Sequence, residues 1–137
     1  MDIINNKNYV DRAETVITGL IEDAKNAKAN RRYEEDYDIL STSQLRKQLS
    51  MTAELFTRAE GETSESLSSD LTDAIEYLRV QFVYQAGREI TVRKFIEKAE
   101  ILQILKTIQG SREDFLTYCR YMEALVAFRK YYGKKDS

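Results

Sequence analysis

Three features of this sequence predict an all-α fold, a five-helix bundle. Proline is absent from all 137 residues, so no ring interrupts a helix. Apolar residues recur every three or four positions in five separate segments. No segment alternates apolar and polar residues as a half-buried strand would. With 42% hydrophobic and 32% charged residues the chain is expected to close one core, as a single domain over residues 1–137. Mobile polar loops are expected near residues 26–39 and 60–69.

The first helix runs from about Tyr9 to near Lys28, with Val10, Ala13, Val16, Ile17, Leu20, Ile21 and Ala24 on one side; Gly19 weakens it by about 1 kcal/mol relative to Ala. The charged stretch ANRRYEEDYD follows without periodicity and reads as a loop. In LSTSQL, Ser41 and Gln44 have the spacing of a capping box, and Leu40 and Leu45 that of a hydrophobic staple. The second helix then carries Leu45, Leu49, Thr52, Phe56 and Ala59, with Gly61 as its stop. EGETSESLSS reads as a polar linker.

The third helix starts near Ser69 and places Leu71, Ala74, Ile75, Leu78, Phe82 and Ala86 on one face, with Tyr77, Val80 and Tyr84 on the far side. A helix apolar on two faces is central or covered by a partner. Gly87 is expected to close it in a left-handed cap. The fourth helix, Glu89 to Ile108, carries Val92, Phe95, Ile96, Ala99 and Leu102, then Ile101, Ile104, Leu105 and Ile108 on nearly the opposite side, so it too calls for burial on both. Gly110 ends it, and Ser111 caps the fifth, whose core face is Phe115, Tyr118, Cys119, Met122, Leu125 and Val126. Glu113 and Asp114 suit its N-terminal dipole, and Arg129, Lys130 and Gly133 its C-terminal end.

Enzyme signatures are missing. There is no His, which removes the commonest general base and imidazole ligand. No glycine-rich loop precedes a Lys-Ser/Thr pair, so no phosphate cradle is legible. Cys119 lies on an apolar stripe and reads as core. Glu97 and Glu100 share a helix face but lack the histidine a di-iron bundle needs, and read as solvated charges. No metal or cofactor is expected. MDIINNKNYVDR does not read as a signal peptide, no apolar run reaches membrane-spanning length, and one cysteine fits a reducing cytoplasm.

What remains is cationic. Residues 1–78 hold 9 Lys/Arg against 16 Asp/Glu, whereas residues 79–137 hold 12 against 7. A basic half on an acidic chain suggests a polyanion for one face, or halves that neutralise each other within the fold. The candidate contacts are Arg46, Lys47, Arg79, Arg88, Arg120, Arg129 and Lys130, the last two beside the aromatic pair Tyr131 and Tyr132. Guanidinium groups offer paired donors to phosphate, and tyrosine stacks on unpaired bases. Structural pairing is the competing reading: Arg88 with Glu89 or Glu123, and Arg129 with terminal carbonyls.

The runs LSTSQLRKQLS, YLRVQFVYQAGREITVRKFIEKAEIL and CRYMEALVAFRKYYGKKD, with NYVDRAE near the start, closely resemble the small subunit of type III-A CRISPR effector complexes, the Csm complex. The resemblance covers nearly the whole chain outside the two loops. It implies a helical bundle without catalysis of its own, stacked in several copies beside the backbone subunits that hold the guide RNA. It further implies contact with target RNA and the guide–target duplex through phosphates and sugars, with RNA cleavage left to the backbone subunit and DNase and cyclic oligoadenylate synthesis to the large subunit. One position departs from the family pattern T-T-S-K-x-R: Gln44 stands where the family has Lys, so the resemblance carries RNA contact to Arg46 more firmly than to position 44. The competing function is a protein-only scaffold whose cations make ion pairs between subunits.

Overall fold

In the computed structural model, residues 3–28 and 30–135 are described; Met1, Asp2, Ala29, Asp136 and Ser137 lie outside the described residues, including the parts of the N-terminal, first-loop and C-terminal readings that fall on them. Among the described residues six helices follow in order: α1 (Tyr9–Ala27), α2 (Thr42–Gly61), α3 (Ser69–Arg88), α4 (Ile90–Lys98), α5 (Ile101–Ile108) and α6 (Arg112–Tyr132). Among the described residues the only β pairing is a lone bridge, Ser66 to Ser111.

Local chemistry starts three of these helices, two of them, α2 and α6, at the caps expected. The Ser41 hydroxyl accepts from the Gln44 amide at 3.0 Å while the Ser41 amide donates to the Gln44 side chain at 2.8 Å, a complete capping box. Ser68 and Ser111 cap α3 and α6 by accepting from the amides of Leu71 and Asp114. Leu40 and Leu45, the staple pair, are both fully buried.

The six-helix count corrects the expected five. The long fourth helix breaks at Glu100, which takes the left-handed conformation (φ 57°, ψ 38°). Left-handed backbone costs a non-glycine residue roughly 1–2 kcal/mol, and here the Glu100 carboxylate is held by Arg12 of α1. The break resets the helical phase. Val92, Phe95, Ile96 and Ala99 of α4 and Ile101, Ile104, Leu105 and Ile108 of α5 therefore all enter one core, although a straight helix would point them apart. Gln109 (φ 47°) and Gly110 (φ 85°) end α5 with two more left-handed residues. Gly87 is a second correction: it is not left-handed, and α3 runs through it to Arg88.

The core is organised around α6, which packs against α1, α2 and α5, while α3 packs against α2, α4 and α5. Beyond its predicted stripe, α6 also buries Leu116, Thr117 and Tyr121. The two hydroxyls are satisfied: that of Tyr121 donates to the Ala99 carbonyl at 2.9 Å, and that of Thr117 shares its one proton between Asn6 Oδ1 at 2.7 Å and the Glu113 carbonyl at 3.0 Å. Burial pushes the Cys119 thiol up, consistent with its place in the core.

Both polar loops are more tethered than their composition suggests. In the first, Tyr37 is buried, its hydroxyl accepts from the Lys134 amide at 3.0 Å, and its carbonyl accepts from the Lys134 ammonium. Lys28 and Lys25 pair with Asp36 and Glu34 at 2.8 and 2.5 Å, and the Lys28 contact lowers the Asp36 carboxyl. In the second, Leu67 is buried, its amide donates to the Gly110 carbonyl at 2.8 Å, and the Arg112 amide donates to Glu65 at 3.0 Å.

Candidate nucleic-acid interface

Two hydrogen bonds bring three helix ends together. The Gln44 side chain donates to the Glu89 carboxylate at 2.5 Å, joining the start of α2 to the α3–α4 junction. The Arg129 guanidinium donates through Nε to the Leu40 carbonyl at 2.9 Å, joining the last turn of α6 to the same corner. Around that corner stand Arg46, Lys47, Arg88 and Lys130, all exposed and, among the described residues, in no ion pair.

Each of the four is projected by its helix. Leu45, Gln48 and Thr52 turn inward from α2, which leaves Arg46 and Lys47 on the outer side of its second turn. Arg88 ends α3 with its guanidinium over the Tyr84 ring, 5.7 Å from the centroid, and pairs with neither Glu89 nor Glu123. Glu89 is instead engaged by Gln44. Lys130 stands beside Tyr131, which is 79% exposed and meets Tyr132 edge-on at 4.9 Å. The Tyr132 hydroxyl donates to Glu14 at 2.6 Å, and that carboxylate raises the phenol.

Two predicted contacts are engaged within the chain. Arg129 is 1% exposed, donates from Nη1 to the Lys134 carbonyl at 3.0 Å as well as to Leu40, and so closes the end of α6 internally. Gly133 permits this: a Cβ there would stand 2.2 Å from Arg129 Nη1. Arg79 is half-buried and donates to Glu76 at 2.7 Å, the ordinary i,i+3 pairing of a helix. Arg120 is exposed but separate. It lies nine residues before Arg129, about 13 Å along α6, and lines a hollow with Ser64, Ser66 and Ser111 at the opposite end of the bundle.

Lys94 and Lys135, outside the candidate set drawn from the sequence, are both exposed. Lys135 lines a groove beside Ser41, Ile39 and Tyr33 at the basic corner, and the closing run YYGKKD was the signal for it. Glu97 and Glu100, the two carboxylates read as solvated charges, are engaged by cations, Glu97 by Arg93 at 3.7 Å and Glu100 by Arg12.

A family model described as Csm2 Type III-A matches residues 14–135. The chain belongs to that family. It is 48% identical over 136 residues to the CRISPR system Cms protein Csm2 of Streptococcus thermophilus, covering 99% of this chain and all of the relative. The protein of the same name from Mycobacterium tuberculosis (strain H37Rv) is 47% identical over 97 residues, 71% of this chain and 78% of the relative. That of Enterococcus italicus is 37% identical over 121 residues, 85% of this chain and 86% of the relative. The chain is thus a small subunit of a type III-A CRISPR effector complex, the Csm complex. No helix among the described residues is long and apolar enough to cross a membrane.

Proposed function

We propose that this small subunit is a non-catalytic RNA holder, working in the cytoplasm without a cofactor. It grips target RNA and the guide–target duplex by their phosphates, without regard to sequence, and stacks on neighbouring copies of itself beside the backbone and large subunits. The observation that carries this reading is the corner where the start of α2, the α3–α4 junction and the end of α6 meet, each carrying exposed cations that, among the described residues, are in no ion pair: Arg46 and Lys47, Arg88, and Lys130. Helix ends joined by hydrogen bonds hold these charges on rigid elements, which lowers the cost of ordering them on a strand. Exposed Tyr131 adds a ring on which an unpaired base can stack. Arg120 is a second, separate contact further along the same subunit.

Neutralising about four phosphates per copy gives a slope of log affinity against log salt near −3 on a single strand. The test is charge reversal of Arg46 and Lys47 in the reconstituted complex. The expected outcome is loss of RNA retention and a shallower salt slope with the particle intact. Unchanged RNA affinity with loss of the small subunit from the particle would instead support a protein-only scaffold. Both readings call for a protein partner, and the outer face of α3 exposes Tyr77, Val80, Val83 and Tyr84, each more than half exposed, as a helix covered by a partner would.

A further inference from the structure

The core carries a polar seam that neither RNA contact nor subunit stacking uses. α2 and α6 run antiparallel, since Leu40 meets Arg129 at one end and the Ala59 carbonyl accepts from Arg112 Nε, at 2.8 Å, near the other. That register brings Thr52 level with Tyr118. Gln48, one turn earlier on α2, lies on the same face as Thr52.

Gln48 and Thr52 are each 1% exposed and Tyr118 is fully buried. The Thr52 hydroxyl lies beside the Tyr118 phenol yet outside hydrogen-bond geometry, and Gln48 Oε1, Thr52 Oγ1 and the Tyr118 hydroxyl have no hydrogen-bond partner among the described residues. Tyr121 and Thr117, by contrast, find partners, and the other buried atoms without one among the described residues are the guanidinium Nε atoms of Arg12, Arg31 and Arg79, whose terminal nitrogens are bonded. Three orphaned buried groups together on one helix–helix contact are a rare arrangement, because a buried donor or acceptor without a partner loses its hydration for nothing.

We infer that the α2–α6 contact holds an internal water molecule bridging Gln48, Thr52 and Tyr118. The chemistry of the three groups matches such a ligand. Gln48 Oε1 accepts, the Tyr118 phenol donates, and the Thr52 hydroxyl turns to do either, which provides the two to four polar partners that buried waters use. The bridge fixes the rotation of α2 against α6. It thereby fixes the outward direction of Arg46 and Lys47, which leave α2 directly before Gln48.

A high-resolution crystal structure of the whole chain tests this, read together with thermal melts of four variants. The expected result is a solvent peak within hydrogen-bond distance of at least two of the three atoms. In the melts, Gln48→Met, Thr52→Val and Tyr118→Phe each remove one partner of the bridge and are expected to lower Tm by roughly 2–6 °C. The triple variant leaves no group orphaned and melts well above the sum of those losses. Side chains bonded directly to one another with no solvent peak would overturn the inference, as would three single losses that add up in the triple variant. The wild-type density decides the matter even where a variant fails to fold.

Discussion

α3 and α6 look alike in sequence, each with apolar residues on more than one side, but the fold treats them oppositely. α6 is surrounded by α1, α2 and α5 and buries Tyr118, Tyr121 and Thr117 in addition to its aliphatic stripe. α3 buries only Leu71, Ile75, Leu78 and Phe82, and turns Tyr77, Val80 and Tyr84 to solvent. The polar tips mark the difference. On α6 the Tyr121 and Thr117 hydroxyls find partners inside the chain; the α3 tyrosines keep their hydroxyls near water. Two-sided apolarity therefore identifies a helix that needs covering, and says nothing of whether its own chain or another supplies the cover.

Substitutions on the two faces of α3 break this comparison most sharply. Phe82 is fully buried, and Phe82→Ala should destabilise the isolated chain by about 3–5 kcal/mol in denaturant melts. A smaller effect sharpens the α6 side. Tyr121→Phe orphans the Ala99 carbonyl and should cost about 1–2 kcal/mol at neutral pH.

The same residue has an alkaline signature. Burial, partly offset by Arg12, pushes the Tyr121 phenol up to about 12, against about 10 when unfolded. The folded state thus keeps a proton that the unfolded state gives up. The resulting stability is fully present below about pH 10 and is lost as pH rises through about 12. Between those values Tyr121→Phe should reduce the decline of stability with pH by up to about 1.4 kcal/mol per pH unit, measured by melts in a pH series. Smallest of all on the isolated chain is Val80→Ser, on the outer face, expected within about 0.5 kcal/mol of wild type. Its effect should emerge only in the assembled complex, as reduced retention of the subunit if that face is an interface.

Most helix boundaries were legible because they depend on neighbouring residues alone. Ser41 with Gln44, Ser111 with Asp114, and Gly110 all act within one turn. The break at Glu100 was not, since a glutamate has no local reason to turn left-handed; the conflict between the stripe of Val92 to Ala99 and that of Ile101 to Ile108 was its only trace. Thr52 was legible as part of the inward stripe of α2, whereas Gln48 was not, because its position on the helix is inward while its chemistry reads outward. At the candidate interface, Arg46, Lys47, Arg88 and Lys130 were found as exposed cations because each lies off an apolar stripe. For Arg129 the sequence left two readings open, and its bonds to the Lys134 and Leu40 carbonyls match the pairing with carbonyls, although Leu40, 89 residues away, could not be named as a partner. Net charge by halves could not separate these cases, because Arg79 and Arg129 count toward the basic half and are both already engaged.

The joint between α4 and α5 carries a consequence for anyone altering this chain. It works like a slipped thread on a screw, letting two lengths of oily ridge seat in a single groove. Inserting or deleting one residue between Ala99 and Ile101 would turn everything downstream by about 100° and lift that ridge into water. Spacing here is therefore a tighter constraint than side-chain identity, and a lineage that changed one without the other would expose Ile104 and Ile108 at once.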